Sequence, residues 1–269
     1  MPSRSTTRID ACFRDLRAKQ AKGLIVYLTA GDPTLDATGE LLAALDRAGA
    51  DIIELGVPFS DPLADGPVIQ RASERALRSG TTLHKILDRF PKWRESVSTP
   101  IILFSYYNPI LQFGLNDFAA TAAAVGADGA LVVDLSPEES DTYTQVMRAH
   151  HLDTVFLGAP TSSDARLKHA AEISSGFFYL ISRAGVTGER SEIASSVQPL
   201  VERARRFTSL PLAVGFGIST AAQVREVETW ADAAVVGSAV VHAIEKRYPL
   251  EGPAAIEQFV RTLKAGPVG

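Results

Sequence analysis

Short runs of apolar and β-branched residues recur along the chain, and polar segments with a helical period separate them. Eight runs predict strands, at 24–28, 51–55, 101–104, 130–133, 154–157, 177–181, 212–214 and 233–236. The segments between them repeat apolar residues every three or four positions, as in 36–48, 138–150 and 195–207. Because the strands are almost continuously apolar, we expect both of their faces to be buried, as in a parallel sheet covered by helices.

Eight strand–helix units in 269 residues match the size of a (β/α)8 TIM barrel of the α/β class. A doubly wound sheet is the alternative, but it rarely needs eight parallel strands. The Gly-x-Gly-x-x-Gly pattern that usually follows its first strand is also missing here. The segment before the first strand and the tail from Gly252 each predict an additional helix. With no linker or low-complexity tract in between, we expect residues 1–269 to form a single barrel domain.

The charge, the cysteine count and the length of the apolar runs exclude several classes of protein. The 27 Lys and Arg against 31 Asp and Glu give a net charge of −4, which argues against a nucleic-acid binder. Cys12 is the only cysteine, so an internal disulfide and a cysteine zinc site are excluded, and a reducing compartment is favoured. No apolar run approaches the roughly 20 residues that span a bilayer, and the first residues lack the pattern of a signal peptide. These features predict a cytoplasmic enzyme without a membrane partner.

Two irregular segments follow predicted strands. Residues 56–67, after the second strand, are too rich in Pro and Gly for a helix or a strand, and residues 182–190, after the sixth, form a long connection with two glycines. Both lie at the carboxyl ends of strands, where barrel enzymes place their chemistry.

Glu54 ends the apolar strand 51–55. An isolated carboxylate is costly to bury, so Glu54 needs either a cationic partner or a raised pKa. A strand-end salt bridge is one interpretation and a general acid/base is the other. Since the strand interiors carry no Lys or Arg, the sequence favours the acid/base role.

Asp61 and Asp65 occupy the loop after Glu54. Asp61 could hold an Asx turn beside Pro62, and Asp65 could cap the helix that begins near Val68. A second carboxylate beside Glu54 would equally suit a site in which one carboxyl group is protonated and the other ionised, because different surroundings move their pKa values apart.

Glycines close the seventh and eighth strands, at Gly217 and Gly237. Barrels often bind phosphate there, because backbone amides approach the anion closely and the helix that opens at Ser238 directs its positive end toward it. Gly188 on the long loop could complete this cradle, although glycines are common in such turns for other reasons. Tyr179 is a core residue or a hydroxyl that reaches the site.

Other residue types carry no predicted chemistry. The histidines fall on predicted helices or helix ends, away from the catalytic face, and none of their spacings suits a metal; they are His84, His150, His151, His169 and His242. No metal site is expected. No Walker loop, catalytic triad or Schiff-base lysine at a strand end is present, so a lysine-dependent aldolase is disfavoured.

Five motifs occur in order between residues 28 and 219, within a stretch of similarity that runs over about residues 9–263. They are LTAGDP at 28–33, ELGVPFSDPLADGP at 54–67, YYNP at 106–109, SRAGVTG at 182–188 and GFGIS at 215–219. Together they resemble the tryptophan synthase alpha subunit family, and the second is highly specific. The resemblance implies a (β/α)8 barrel that cleaves indole-3-glycerol phosphate to indole and glyceraldehyde 3-phosphate. It also implies a beta subunit that receives the indole, in an α2β2 assembly. Pyridoxal phosphate is expected only in that partner, and no cofactor is expected in this chain.

The resemblance also implies roles for single residues. Glu54 would be the general acid/base, Asp65 would stabilise the positive indole intermediate, and Tyr179 would position Glu54 and the substrate. The phosphate would be held by Gly188, Phe216, Gly217, Gly237 and Ser238. The indole pocket would be formed by Phe104, Leu131 and Leu157. Arg183 and Thr187 would belong to a closing lid, and the partner interface would include Pro58, Asp61 and Asn108.

Two alternatives to an alpha subunit stay open at this point. One is a free-standing indole-3-glycerol phosphate lyase, which would keep both carboxylates but need no partner. The other is a non-catalytic barrel that serves as a regulatory partner, against which the presence of both carboxylates and both glycine loops argues.

Overall fold

The computed structural model describes residues 6–181, 191–215 and 217–265, with the backbone alone over 191–196. Its strands all pair in parallel in one sheet. They are β1 (Gly23–Thr29), β2 (Ile52–Gly56), β3 (Ile101–Ser105), β4 (Gly129–Val132), β5 (Asp153–Val155), β6 (Leu157–Gly158), β7 (Phe178–Ile181), β8 (Leu212–Gly215) and β9 (Ala233–Val236).

The sheet closes on itself. Its order is β5-β4-β3-β2-β1-β9-β8-β7-β6, so β5 and β6 stand at its two ends. Only Phe156 separates β5 from β6 along the chain, so they are the two halves of one barrel strand. One half pairs with β4 and the other with β7. The predicted barrel of eight strand positions is therefore confirmed.

The helices follow the strands as the periodicity predicts. They are α1 (Arg8–Ala18), α2 (Leu35–Ala48), α3 (Pro67–Arg78), α4 (Leu83–Arg94), α5 (Tyr107–Phe113), α6 (Leu115–Val125), α7 (Asp141–Ala149), α8 (Asp164–Ile173), α9 (Ser191–Arg205), α10 (Ala221–Glu228), α11 (Ser238–Glu251) and α12 (Pro253–Ala265). Among the described residues, no helix has the length and apolarity that crossing a membrane would require.

One predicted helix, 138–150, is interrupted. A 3-10 turn spans Pro137–Glu139, and α7 begins only after Ser140. The Ser140 hydroxyl donates a hydrogen bond to the Pro137 carbonyl oxygen at 2.8 Å, which closes the short turn. Serine competes in this way with helical hydrogen bonding, so the helix starts later than its apolar period suggests.

Alternate strand residues fill the inside of the barrel, as the period of two along a strand requires. Ile25, Ile52, Ile102 and Val155 are buried there. Helix α1 contributes Ile9, Phe13 and Leu16 to the same cluster, so it covers the amino ends of the strands. The other strand faces pack against the surrounding helices. Apolar packing thus fills the amino end, and the chemistry is left to the carboxyl end.

Candidate active site

A cavity of about 950 Å³ opens at the carboxyl ends of the strands. Its walls come from the strands, from the loop after β2 and from the first turns of α11. The predicted site residues that line it are Glu54, Asp65, Phe104, Leu157, Tyr179, Gly217, Gly237 and Ser238. The structure thus brings residues from six separate segments of the chain around one space.

The remaining predicted site residues lie elsewhere. Leu131 is fully buried inside the barrel as the register partner of Phe104. Asp61 and Asn108 are exposed, whereas Pro58 is buried. The other four, Arg183, Thr187, Gly188 and Phe216, fall outside the described residues.

Glu54 stands on β2 between Tyr27 of β1 and Ile102 of β3. Its exposed fraction is 1%, and its Oε1 atom has no hydrogen-bond partner among the described residues. Burial raises the pKa of Glu54 to about 8. The carboxyl group therefore keeps its proton at neutral pH and can act as an acid.

This raised pKa should make the stability of the fold depend on pH. The folded state holds the Glu54 proton more tightly than the unfolded state, so this contribution is complete below the ordinary pKa of 4.5 and is lost as pH rises toward 8. We expect Glu54→Gln to gain about 3 kcal/mol in unfolding free energy, relative to the parent, between about pH 5 and about pH 8. Urea unfolding across that range measures it. The exposed Glu95→Gln is the control, and a pH-independent difference for Glu54→Gln would contradict the assignment.

Asp65 lies at the end of the loop that follows β2. It does not cap α3, because that helix starts at Pro67 with Gly66 at the N-cap position. The Tyr106 hydroxyl instead donates a hydrogen bond to Asp65 Oδ2 at 3.1 Å. Burial raises the pKa of Asp65 to about 6, and the hydrogen bond from Tyr106 opposes this rise by favouring the charged form. Asp65 is therefore ionised at neutral pH while Glu54 is not.

Tyr106 was not among the predicted site residues, although it belongs to the YYNP motif. It directly follows β3, and its ring stacks on Phe59 with the ring centroids 4.9 Å apart. Its hydroxyl oxygen also accepts a hydrogen bond from the Ala64 amide at 2.9 Å. These contacts hold the Asp65 loop against the mouth of the barrel. A polar aromatic residue at the carboxyl end of a strand is the signal that could have identified it.

Two buried tyrosines flank Glu54 inside the barrel. A Cβ atom on Gly215 would lie 2.1 Å from the Tyr179 hydroxyl oxygen, and one on Gly56 would lie 2.2 Å from that of Tyr27. Glycine at both positions therefore lets the hydroxyl groups rest against the neighbouring strand. Burial, and then the Glu54 charge, raise the pKa of Tyr179, so its hydroxyl remains a donor. Tyr27, two residues after the inward-facing Ile25, could have been found from the strand period.

The glycines after β8 and β9 line the other side of the cavity. Gly217 has a φ of +77°, a conformation that favours glycine. Helix α11 begins at Ser238 as predicted, and its N-cap Gly237 makes no side-chain cap. The Val240 amide donates a hydrogen bond to the Gly237 carbonyl oxygen at 2.9 Å. The amides of Ser238 and Ala239 come before it, at helix positions where an N–H group has no acceptor within the helix. A helix start of this kind favours an anion.

The prediction that all histidines lie away from the catalytic face is wrong for His242. This residue lines the cavity, together with Lys246 and Arg247. His242 lies four residues after Ser238, about one helical turn, so both side chains are on the same face of α11. That face reaches the cavity because of how α11 is oriented over the barrel. Within the described parts of the chain, no three His, Cys, Asp or Glu side chains are grouped as a metal site would need.

Comparison with known proteins agrees with this geometry. The family model described as tryptophan synthase alpha chain matches residues 13–266. The chain is 53% identical to the tryptophan synthase alpha chain of Solibacter usitatus, over 97% of this chain and 98% of the other. It is 47% identical to that of Geobacter sulfurreducens, over 96% and 98% of the two chains.

Solved structures show the same relation. Tryptophan synthase subunit alpha from Legionella pneumophila superposes with a TM-score of 0.90 at 36% identity, covering 97% of this chain and 98% of that chain. A chain of the tryptophan synthase complex from Pyrococcus furiosus gives 0.82 at 41% identity, with 90% and 97% covered. The chain described here belongs to the tryptophan synthase alpha chain family.

Proposed function

We propose that this chain is a carbon–carbon lyase that cleaves indole-3-glycerol phosphate into indole and glyceraldehyde 3-phosphate, with Glu54 and Asp65 performing the chemistry. The observation that carries the proposal is the pairing of a buried acid, whose pKa is about 8, with a carboxylate whose pKa is about 6 on one cavity. Two carboxyl groups with separated pKa values are suited to opposite roles.

Glu54 supplies and recovers one proton. Its protonated carboxyl group donates to C3 of the indole ring, which makes the ring cationic. The resulting carboxylate accepts the proton of the hydroxyl group on the carbon attached to C3. The carbon–carbon bond then breaks, its electron pair returns to the ring as indole, and the hydroxyl carbon becomes the aldehyde of glyceraldehyde 3-phosphate. Glu54 ends protonated, as it began.

Asp65 stabilises the cationic ring. Its carboxylate accepts the hydrogen bond of the indole N–H while positive charge develops in the apolar cavity. A fixed negative charge in such a site lowers the energy of the cation more than water would, because it is already oriented. Tyr106 keeps that carboxylate in place through its hydroxyl.

The other predicted residues bind the substrate. Phe104 and Leu157 flank the ring, and Leu131, the register partner of Phe104 on β4, supports Phe104 from the neighbouring strand. Tyr179 orients Glu54 and the glycerol chain. The phosphate lies on the amides at Gly217, Gly237 and Ser238. The family resemblance adds Gly188 and Phe216, which lie outside the described residues, to this cradle. The family resemblance also assigns Arg183 and Thr187, which lie outside the described residues, to a lid that would exclude water.

The pH dependence of turnover follows from the two carboxyl groups. We expect kcat/KM to be highest near neutral pH, to fall below about 6 as Asp65 is protonated, and to fall above about 8 as Glu54 loses its proton. Tyr106→Phe should move the acid limb alone to higher pH, because it removes the bond that lowers the pKa of Asp65. Protonation of the substrate phosphate would not respond to this variant. A rate that still rises above about pH 9 would contradict the role of Glu54.

We further propose that the single barrel domain, residues 1–269, works in the cytoplasm in an α2β2 assembly. Asp61, Asn108 and the buried Pro58 would be at the interface with a beta subunit, which would hold the pyridoxal phosphate. The close structural match to a chain of the Pyrococcus furiosus tryptophan synthase complex supports this partner.

Indole release from indole-3-glycerol phosphate, measured with and without a beta subunit, tests the function. We expect slow release by the chain alone and about 10-fold or faster release with the partner, within the usual range of coupling between sites. A rate that the partner leaves unchanged would indicate a free-standing lyase. No indole under either condition would refute the proposal.

A further inference from the structure

Basic side chains line the cavity beyond the predicted phosphate cradle. They are His242, Lys246 and Arg247, all on α11. We propose that Lys246 forms a cationic subsite that draws the phosphate group of the substrate into the cavity before it reaches the glycine cradle. The subsite deepens the proposed function and rests on it.

The positions follow one face of the helix. Ser238, His242 and Lys246 are spaced by four residues, so they lie nearly in line along α11. Eight residues correspond to about 12 Å of helix. Because helical side chains lean toward the amino end, the Lys246 side chain extends back toward Ser238. Its charge then acts on the cradle from about one Debye length at physiological salt.

The charge of Lys246 is not cancelled by its neighbours. Glu245 contacts Arg75, with 2.8 Å between Oε1 and Nη1, and Arg71, with 3.5 Å between Oε2 and Nη2. Its Oε2 atom also lies 3.6 Å from Nδ1 of His242. Arg247 is paired with Glu251. Among the described residues, Lys246 has no carboxylate oxygen within 4 Å, so its ammonium group remains available to an anion.

An acidic protein needs such a subsite to collect a dianion. The chain carries a net charge of −4, and the cavity itself contains the ionised Asp65. A phosphate monoester carries a charge of nearly −2 at neutral pH and would be repelled by this surface. A cation at the mouth reverses the local potential and raises the local concentration of the substrate.

Binding of inorganic phosphate to the full chain tests the subsite without turnover. We expect Lys246→Gln to weaken phosphate binding about 5-fold at low salt, and Lys246→Glu about 25-fold, from the loss and then the reversal of one charge. The matched control is Lys92→Gln, which removes the same charge from an exposed position on α4. The Lys246→Gln effect should vanish at about 0.5 M NaCl.

Turnover provides the second readout. In the reverse reaction, Lys246→Gln should raise KM for glyceraldehyde 3-phosphate about 5-fold and leave KM for uncharged indole and kcat unchanged. Phosphate binding by Lys246→Gln that equals that of Lys92→Gln would overturn the subsite. A parent chain that binds phosphate through Lys246 but releases no indole would instead refute the proposed function, so the two failures are distinguishable.

Discussion

Replacing Glu54 by Gln is expected to lower kcat for indole release by about 10³-fold or more. A single positioned acid or base typically contributes 10²- to 10⁴-fold, and Glu54 is used twice in one turnover, first as an acid and then as a base. The amide of Gln can neither protonate C3 nor accept the hydroxyl proton. Because Gln is neutral and of the same size, it should occupy the buried position without unfolding the barrel.

Two measurements separate lost chemistry from lost structure. Urea unfolding of Glu54→Gln should show a fold at least as stable as the parent at neutral pH. The parent fold loses stability as pH rises toward the raised pKa of Glu54, whereas Gln does not ionise. A substrate analogue that lacks the hydroxyl group beside the ring should bind with unchanged affinity. Glu95→Gln serves as the control for charge. Turnover within about tenfold of the parent would remove Glu54 from the mechanism.

Asp65→Asn is expected to lower the single-turnover rate of cleavage by about 10²- to 10³-fold, the loss typical of a preorganised electrostatic contact. Asn keeps the size of the side chain and an acceptor for the Tyr106 hydroxyl, but it lacks the negative charge that the cationic ring requires. The loss should therefore appear in the chemical step rather than in substrate binding.

Asp61→Asn is the matched control for this variant. It makes the same change four residues earlier on the same loop, at an exposed position. Measured on the chain alone, it should cleave at the parental rate. If Asp65→Asn also cleaved within about fivefold of the parent, the cation would have to be stabilised by another group, and the assignment of Asp65 would fail.

The barrel could be predicted because its signals are local. Each apolar run is bounded by turn residues, and each helix repeats its own period, so the order of strands and helices follows from neighbouring positions. Glu54 could be singled out for a similar reason, since a lone carboxylate on an apolar strand conflicts with its surroundings. The absence of strand cations, visible in the sequence, fits the described Oε1 atom without a hydrogen bond.

Other features depend on contacts between distant segments. His242 lines the cavity because of how α11 is oriented over the barrel. The hydrogen bond from Tyr106 to Asp65 joins residues that are 41 positions apart in the sequence. The two interpretations of Asp65 could not be separated either, because helix starts vary by a residue or two in sequence-based reasoning. In the structure, Gly66 occupies the cap and leaves Asp65 to the cavity.

The apolar packing of α1 against the amino ends of the strands determines where small molecules can enter and leave the barrel. With Ile9, Phe13 and Leu16 packed into the amino end, the described part of the chain offers exchange at the opposite rim. In the described part of the chain, substrate, aldehyde and indole then enter and leave at the same rim. A compound wedged at that rim would trap whatever lies inside, so an inhibitor of this enzyme need not resemble its substrate.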